Sequence, residues 1–215
     1  MTTRVKICGV STAGVLEAAV AEGASEVGLV FFPRSPRNVS AREAAALSAA
    51  APAGITVVGL FVDPTDEALE SVLSVARLDL LQLHGNESPE RVAEIRRRTG
   101  KPAMKAIKVA DPDDIEAARR YDGVADRLLF DAKAPSTEGR FMPGGNALTF
   151  DWRMLAGLDW PCPWMLSGGL TPETVAEAIR TSGAPGVDVS SGVESAPGVK
   201  DASLIAAFIR AAEGA

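Results

Sequence analysis

Trp164-Met165-Leu166-Ser167-Gly168-Gly169-Leu170-Thr171-Pro172 reads as a short apolar strand, a glycine turn and a helix start. The next unit follows at once, with Gly186-Val187-Asp188-Val189 running into Ser190-Ser191-Gly192. Outward from this pair, the same alternation predicts further strands at Val5 to Cys8, Glu26 to Phe31, Thr56 to Phe61, Asp79 to Leu83, Met104 to Val109 and Arg127 to Phe130. Amphipathic, Ala-rich segments at 11–22, 40–51, 65–76, 88–99, 111–121, 151–157, 171–181 and 200–212 read as helices. Ser88-Pro89, Asp111-Pro112 and Thr171-Pro172 each set a capping side chain before a proline suited to the first helical turn.

The strands are apolar throughout rather than alternating, as expected of strands covered on both faces. Strict βα alternation implies a parallel sheet with right-handed crossovers, open or closed. Eight units in 215 residues fit one compact α/β domain over 1–215, a (β/α)8 TIM barrel. The open alternative usually carries a GxGxxG turn after its first strand, whereas Cys8-Gly9-Val10-Ser11 stands here.

A hydrophobic share of 47% and a charged share of 23% are ordinary for a globular chain. The net charge of -6 argues against nucleic acid, which needs clustered Lys and Arg. No apolar stretch reaches membrane-spanning length, and the strand-like run at Arg4 leaves no room for a signal peptide. Cys8 and Cys162 form neither a CxxC pair nor part of a metal cluster. A reducing, cytoplasmic setting is the default expectation.

In barrels of this type the loops after strands seven and eight commonly hold a phosphate. Gly168, Gly169, Ser190, Ser191 and Gly192 occupy those loops, where glycine admits close backbone approach and free N–H groups favour an anion. Taken singly, each loop is also explained as a plain turn. The connection from Ala132 to Thr149 is long and rich in Gly and Pro, which predicts a mobile lid rather than a disordered insertion.

Cys8, Asp63, His84, Asp131 and Asp188 fall at or near strand ends, and Arg37 follows strand two. Individually each has a structural explanation: a small buried hydrophobe for Cys8, a cap or loop anchor for either aspartate at 63 or 131, a solvated charge for Arg37. Gathered on one rim opposite two phosphate-type loops, Cys8, Asp131 and Arg37 become the functional candidates, and they suit proton shuffling on a phosphorylated sugar. A thiol serves as base if its pKa is lowered, and a carboxylic acid kept protonated serves as acid.

The order of the motifs Lys6-Ile7-Cys8-Gly9, Ser35-Pro36-Arg37, Gly59-Leu60-Phe61-Val62, Gln82-Leu83-His84-Gly85, Phe130-Asp131-Ala132-Lys133, Phe150-Asp151-Trp152, Ser167-Gly168-Gly169-Leu170 and Val187 to Glu194 resembles the phosphoribosylanthranilate isomerases of tryptophan biosynthesis. The resemblance implies an Amadori rearrangement of N-(5-phosphoribosyl)anthranilate to 1-(2-carboxyphenylamino)-1-deoxyribulose 5-phosphate, with no cofactor and no metal. It implies Asp131 as the acid that opens the ribose ring and Cys8 as the base at the sugar C2. Arg37 would pair with the anthranilate carboxylate, with His84, Asp188 and the lid residue Gly145 on the substrate side. The implied partner is a small molecule only, and the chain would act as a monomer or homodimer. One departure is the lid sequence Gly144-Gly145-Asn146-Ala147, where the family reads GGTG or GGSG.

Three rival readings fit less well. The related barrel isomerase of histidine biosynthesis carries an aspartate where Cys8 stands and two similar half-barrels. Indole-glycerol-phosphate synthase carries a catalytic lysine at the first strand's end. A non-catalytic sugar-phosphate barrel would be expected to have lost the Cys8–Asp131 pair.

Overall fold

The computed structural model describes residues 3–133 and 149–215. In it, eight strands form a closed barrel in sequence order: β1 (Arg4–Cys8), β2 (Glu26–Phe31), β3 (Thr56–Phe61), β4 (Leu80–Leu83), β5 (Ala103–Val109), β6 (Arg127–Ala132), β7 (Trp164–Leu166) and β8 (Gly186–Val189). All eight pairings are parallel, including the β1–β8 pair that closes the ring. The helices are α1 (Ala13–Ala21), α2 (Ala41–Ala50), α3 (Asp66–Leu73), α4 (Pro89–Thr99), α5 (Pro112–Ala117), α6 (Val175–Ser182) and α7 (Ala202–Glu213).

Local chemistry explains most boundaries. Ser40 and Glu43 form a reciprocal capping box at α2, and Ser88 and Asp111 cap α4 and α5 ahead of their prolines. Gly100 and Gly183 end α4 and α6 in the left-handed conformation.

Three expected helices came out differently. The segment 151–157 is only a 3-10 turn at Trp152–Leu155, held by the Asp151 carboxylate on the Arg153 N–H. Helix α6 starts at Val175 rather than 171, because Thr171 to Thr174 close a tight turn first, the Thr174 hydroxyl accepting from the Thr171 N–H. The segment 111–121 is α5 followed by a 3-10 turn, Ala118–Tyr121. Beyond β8 a 3-10 turn, Ser191–Val193, leads into an unexpected hairpin of β9 (Glu194–Ala196) and β10 (Val199–Lys200).

The outer core packs strands against helices. Val58, Leu80, Met104, Ala106, Leu129 and Met165 form a separate cluster, and Cys8, Val30 and Leu60 another. The two small clusters fall on alternate residues of their strands, as barrel-interior positions must. Below them Glu26 receives Arg4 and Arg127 on one oxygen, at 2.5 and 2.8 Å, and closes the barrel floor. Among the described residues no helix is long and apolar enough to cross a membrane.

Candidate active site

The carboxyl ends of the strands surround an open pocket. Cys8, Arg37, His84, Asp131, Asp188 and Ser190 all line it, so six of the expected site residues converge. Val30, Phe32, Leu60 and Val62 supply an apolar wall beside Arg37. That wall suits a flat hydrophobic group carrying a negative charge.

Cys8 ends β1 and is buried, with its Sγ over Gly28 of β2. A Cβ on Gly28 would stand 3.1 Å from that sulfur and 3.2 Å from the Lys6 ammonium, so glycine leaves the space both groups use. Burial pushes the Cys8 thiol up, and the Lys6 charge is the strongest influence in the opposite direction. Asp188 raises the thiol further, while Lys200 lowers it.

Lys6 is fully buried and donates to Asp188 Oδ1 at 2.7 Å. Burial by itself would depress its ammonium, but the charges of Asp188, Cys8 and Glu26 with the Asp188 hydrogen bond raise it overall. The second Asp188 oxygen accepts from the Ser167 hydroxyl at 3.2 Å, which ties β8 to the turn after β7.

Asp131 lies within β6, because the strand runs two residues beyond the expected end and pairs Asp131 and Ala132 with Lys108 and Val109 of β5. Its Oδ2 is 3.0 Å from His84 Nε2, and the His84 Nδ1 is 2.9 Å from the Gln82 amide nitrogen. With that amide donating to Nδ1, the ring hydrogen sits on Nε2 and is donated to Asp131. Both ring nitrogens of His84 are thus engaged by protein groups.

Arg37 is 6% exposed and grips Glu194 with two bonds, Nε to Oε1 at 2.7 Å and Nη2 to Oε2 at 2.8 Å. Lys200 Nζ donates to Glu194 Oε1 at 2.6 Å and to the Ser190 carbonyl at 3.0 Å. The Ser190 hydroxyl donates to the Cys8 carbonyl at 3.2 Å.

Gly168 adopts φ +93°, and a Cβ there would stand 2.5 Å from the Ala132 nitrogen. Only glycine meets both demands. A Cβ on Gly192 would collide with the Leu170 carbonyl oxygen, so the loops after β7 and β8 touch through it.

A family model for N-(5'phosphoribosyl)anthranilate (PRA) isomerase matches residues 5–211. The chain belongs to that family. It is 59% identical over 214 residues to the N-(5'-phosphoribosyl)anthranilate isomerase of Paramagnetospirillum magneticum, spanning 100% of this chain and 99% of that one. Against the enzyme of that name from Paracoccus denitrificans it is 58% identical over 209 residues, 97% of this chain and 96% of the other. The crystal structure of phosphoribosyl anthranilate isomerase from Thermotoga maritima superposes with a TM-score of 0.85 at 36% identity, covering 99% and 100% of the two chains. A phosphoribosyl anthranilate isomerase solved in complex with reduced 1-(o-carboxyphenylamino)-1-deoxyribulose 5-phosphate matches with a TM-score of 0.83 at 35% identity, over 99% of this chain and 100% of that one.

One expected feature lies outside the described residues, and Asp63 takes the loop-anchor role its position suggested. The Ala132 to Thr149 lid, with Gly145, lies almost wholly outside the described residues. Asp63 anchors a loop: it has φ +46°, and its carboxylate accepts from the Asn86 N–H at 2.6 Å. Glu87 holds the same loop by accepting from the N–H groups of Asp63 and Gly85, and it is itself paired with buried Lys105 at 2.8 Å. Sequence reasoning missed Lys6, Gln82, Glu194, Lys200 and the apolar wall. For Lys6, Gln82, Glu194 and the wall residues Leu60 and Val62 a signal existed, since all stand inside the motifs that carry the resemblance.

Proposed function

We propose that the chain catalyses the Amadori rearrangement of N-(5-phosphoribosyl)anthranilate to 1-(2-carboxyphenylamino)-1-deoxyribulose 5-phosphate in tryptophan biosynthesis, with Asp131 as acid and Cys8 as base. The observation that carries this reading is that Cys8 and Asp131, on non-adjacent strands, face one pocket beside Arg37 and an apolar wall.

Asp131 gives its proton to the ribose ring oxygen, the bond from that oxygen to C1 breaks, and an iminium cation remains. The His84 Nε2–H, 3.0 Å from Asp131, stabilises the carboxylate left behind. The ionised Cys8 then takes the C2 proton, and the C2 electron pair forms a C1–C2 double bond as the iminium nitrogen is neutralised. The resulting enolamine tautomerises to the ketone. Because burial favours the neutral thiol, the order of steps matters: the iminium charge joins the Lys6 and Lys200 ammoniums in favouring the thiolate.

Arg37 binds the anthranilate carboxylate, the apolar wall receives its ring, and Gly168, Gly169, Ser190, Ser191 and Gly192 hold the phosphate through backbone N–H groups. Asp188 orients Lys6 near the sugar. His84 acts through Asp131, and Gly145 belongs to the lid. No cofactor enters this scheme. The substrate is a small molecule, and one chain supplies every described site residue, so a monomer or a homodimer serves equally. A cytoplasmic setting is supported by two free thiols, Cys8 and Cys162.

Anthranilate fluorescence, followed as substrate is consumed, tests the reaction. The purified protein should turn over phosphoribosylanthranilate and leave the aminoimidazole carboxamide ribonucleotide of histidine biosynthesis essentially untouched. Turnover of the imidazole substrate alone would contradict the reading.

A further inference from the structure

Arg37, Glu194 and Lys200 form a buried group with one anion between two cations, their side chains 6%, 4% and 0% exposed. The donors of this group are not equally committed. Lys200 has three, and they meet Glu194 Oε1 at 2.6 Å, the Ser190 carbonyl at 3.0 Å and the Ser190 hydroxyl at 3.3 Å. Arg37 spends Nε and one Nη2 hydrogen on Glu194, and its Nη1 meets no acceptor among the described residues. The group also carries a surplus of one positive charge, which is costly to bury without an anion. Among the described residues that surplus is left at the Nη1–Nη2 edge of Arg37, and Arg37 lines the pocket.

Arg37 is held at its stem and, through Glu194, at its guanidinium. Its stem crosses Gly9, where a Cβ would stand 2.6 Å from Arg37 Cδ. Glu194 is fixed in turn by Lys200 and by the Gly198 N–H at 3.1 Å. Gly198 packs against Pro36, since a Cβ on it would stand 2.7 Å from the Pro36 carbonyl oxygen.

We infer that Glu194 is a specificity-determining positioning residue: with Lys200 it turns the end-on edge of Arg37 toward the substrate and sets the surplus charge that selects an aryl carboxylate. The β9–β10 hairpin that carries both residues is thereby part of the substrate-recognition apparatus. This inference rests on the reading of Arg37 as the carboxylate anchor.

The test compares kcat/KM for phosphoribosylanthranilate with that for N-(5-phosphoribosyl)aniline, which lacks the carboxylate. Glu194→Gln raises the surplus charge but loosens the Arg37 fork. Because orientation governs selection, the ratio of the two kcat/KM values should fall by about ten- to a hundredfold, the range for a lost hydrogen bond to a charged group. The loss should fall mainly on KM for the carboxylate substrate, and a purely structural defect would lower both substrates together. Lys200→Gln, which cancels the surplus charge but leaves the Arg37–Glu194 bonds, should lower the same ratio and serves as the second variant if Glu194→Gln does not fold. Ratios within about twofold of the unmodified protein would overturn the inference while leaving the reaction intact. Absence of turnover by the unmodified protein would overturn both the reaction and the inference.

Discussion

Replacing Lys6 by methionine removes the cation buried deepest beneath the site. The change keeps an unbranched side chain of similar length, so packing is largely conserved, but Asp188 loses a partner at 2.7 Å and keeps only the Ser167 hydroxyl at 3.2 Å. Both side chains of the pair are at most 5% exposed, so solvent cannot take over the lost interaction. Leaving one charge of a buried pair uncompensated costs about 3–5 kcal/mol. For a domain of this size each kcal/mol lowers the melting temperature by about 2–4 °C, so a fall of roughly 6–20 °C is expected. The double variant Lys6→Met/Asp188→Asn removes both charges and should regain a large part of that loss.

The same substitution acts on Cys8. The two groups flank Gly28 within about 6 Å of each other, the distance over which an opposite charge favours ionisation. The pH dependence of Cys8 alkylation by iodoacetamide should therefore move to higher pH in Lys6→Met. Melting followed by circular dichroism and alkylation followed by mass spectrometry read the two effects separately. If the single variant melts within about 2 °C of the parent and its alkylation profile superimposes, the Lys6 argument is wrong.

Other perturbations separate other parts of the account. Gly192→Ala forces the loops after β7 and β8 apart at the Leu170 carbonyl, so KM should rise by about tenfold or more with a smaller change in kcat; an unchanged KM would remove that loop from the phosphate site. On the alkaline side, Lys6 and Cys8 both hold their protons more tightly folded than unfolded. Their stability contributions are present below the unfolded values of 10.5 and 9.0 and are lost as pH rises beyond them. Thermal melts should therefore fall as pH passes 9.0, and the first part of that fall should be shallower in Cys8→Ala; identical profiles would count against the buried thiol. Glu194 shows the opposite sign. Burial raises its carboxyl, but bonds from Arg37 and Lys200 outweigh that and lower it, so its contribution is lost as pH falls below 4.5, and acid melts of Glu194→Gln should be correspondingly flatter.

The barrel was legible because its strands are continuous apolar runs between turn residues. Glu26–Phe31, Thr56–Phe61, Trp164–Leu166 and Gly186–Val189 have the boundaries that their composition suggests. Where β6 differs, a polar residue was the reason: Asp131 looks like a strand end, yet its backbone pairs with Lys108 and it lines the mouth. The β9–β10 hairpin was hidden because Glu194-Ser195-Ala196-Pro197-Gly198 reads as a loop, and its pairing rests on a two-residue partner strand.

The buried charges were the least legible part of the site. Lys6 finds Asp188, 182 residues away, only once β1 and β8 are side by side, and Arg37 finds Glu194 across 157 residues. Local pattern carries no trace of such pairings. Cys8, Asp131 and His84 were reachable from position at strand ends, but the bond of His84 to Asp131 and the Gln82 amide behind it were not.

The most direct test of the central claim is turnover of phosphoribosylanthranilate by Cys8→Ala and Asp131→Asn beside the parent protein. Each substitution removes one proton-transfer group, and Asp131→Asn can keep the His84 contact through its amide oxygen. Each should lower kcat by at least about a hundredfold with melting temperatures near that of the parent. Turnover close to the parent's in either folded variant would contradict the assignment of that residue.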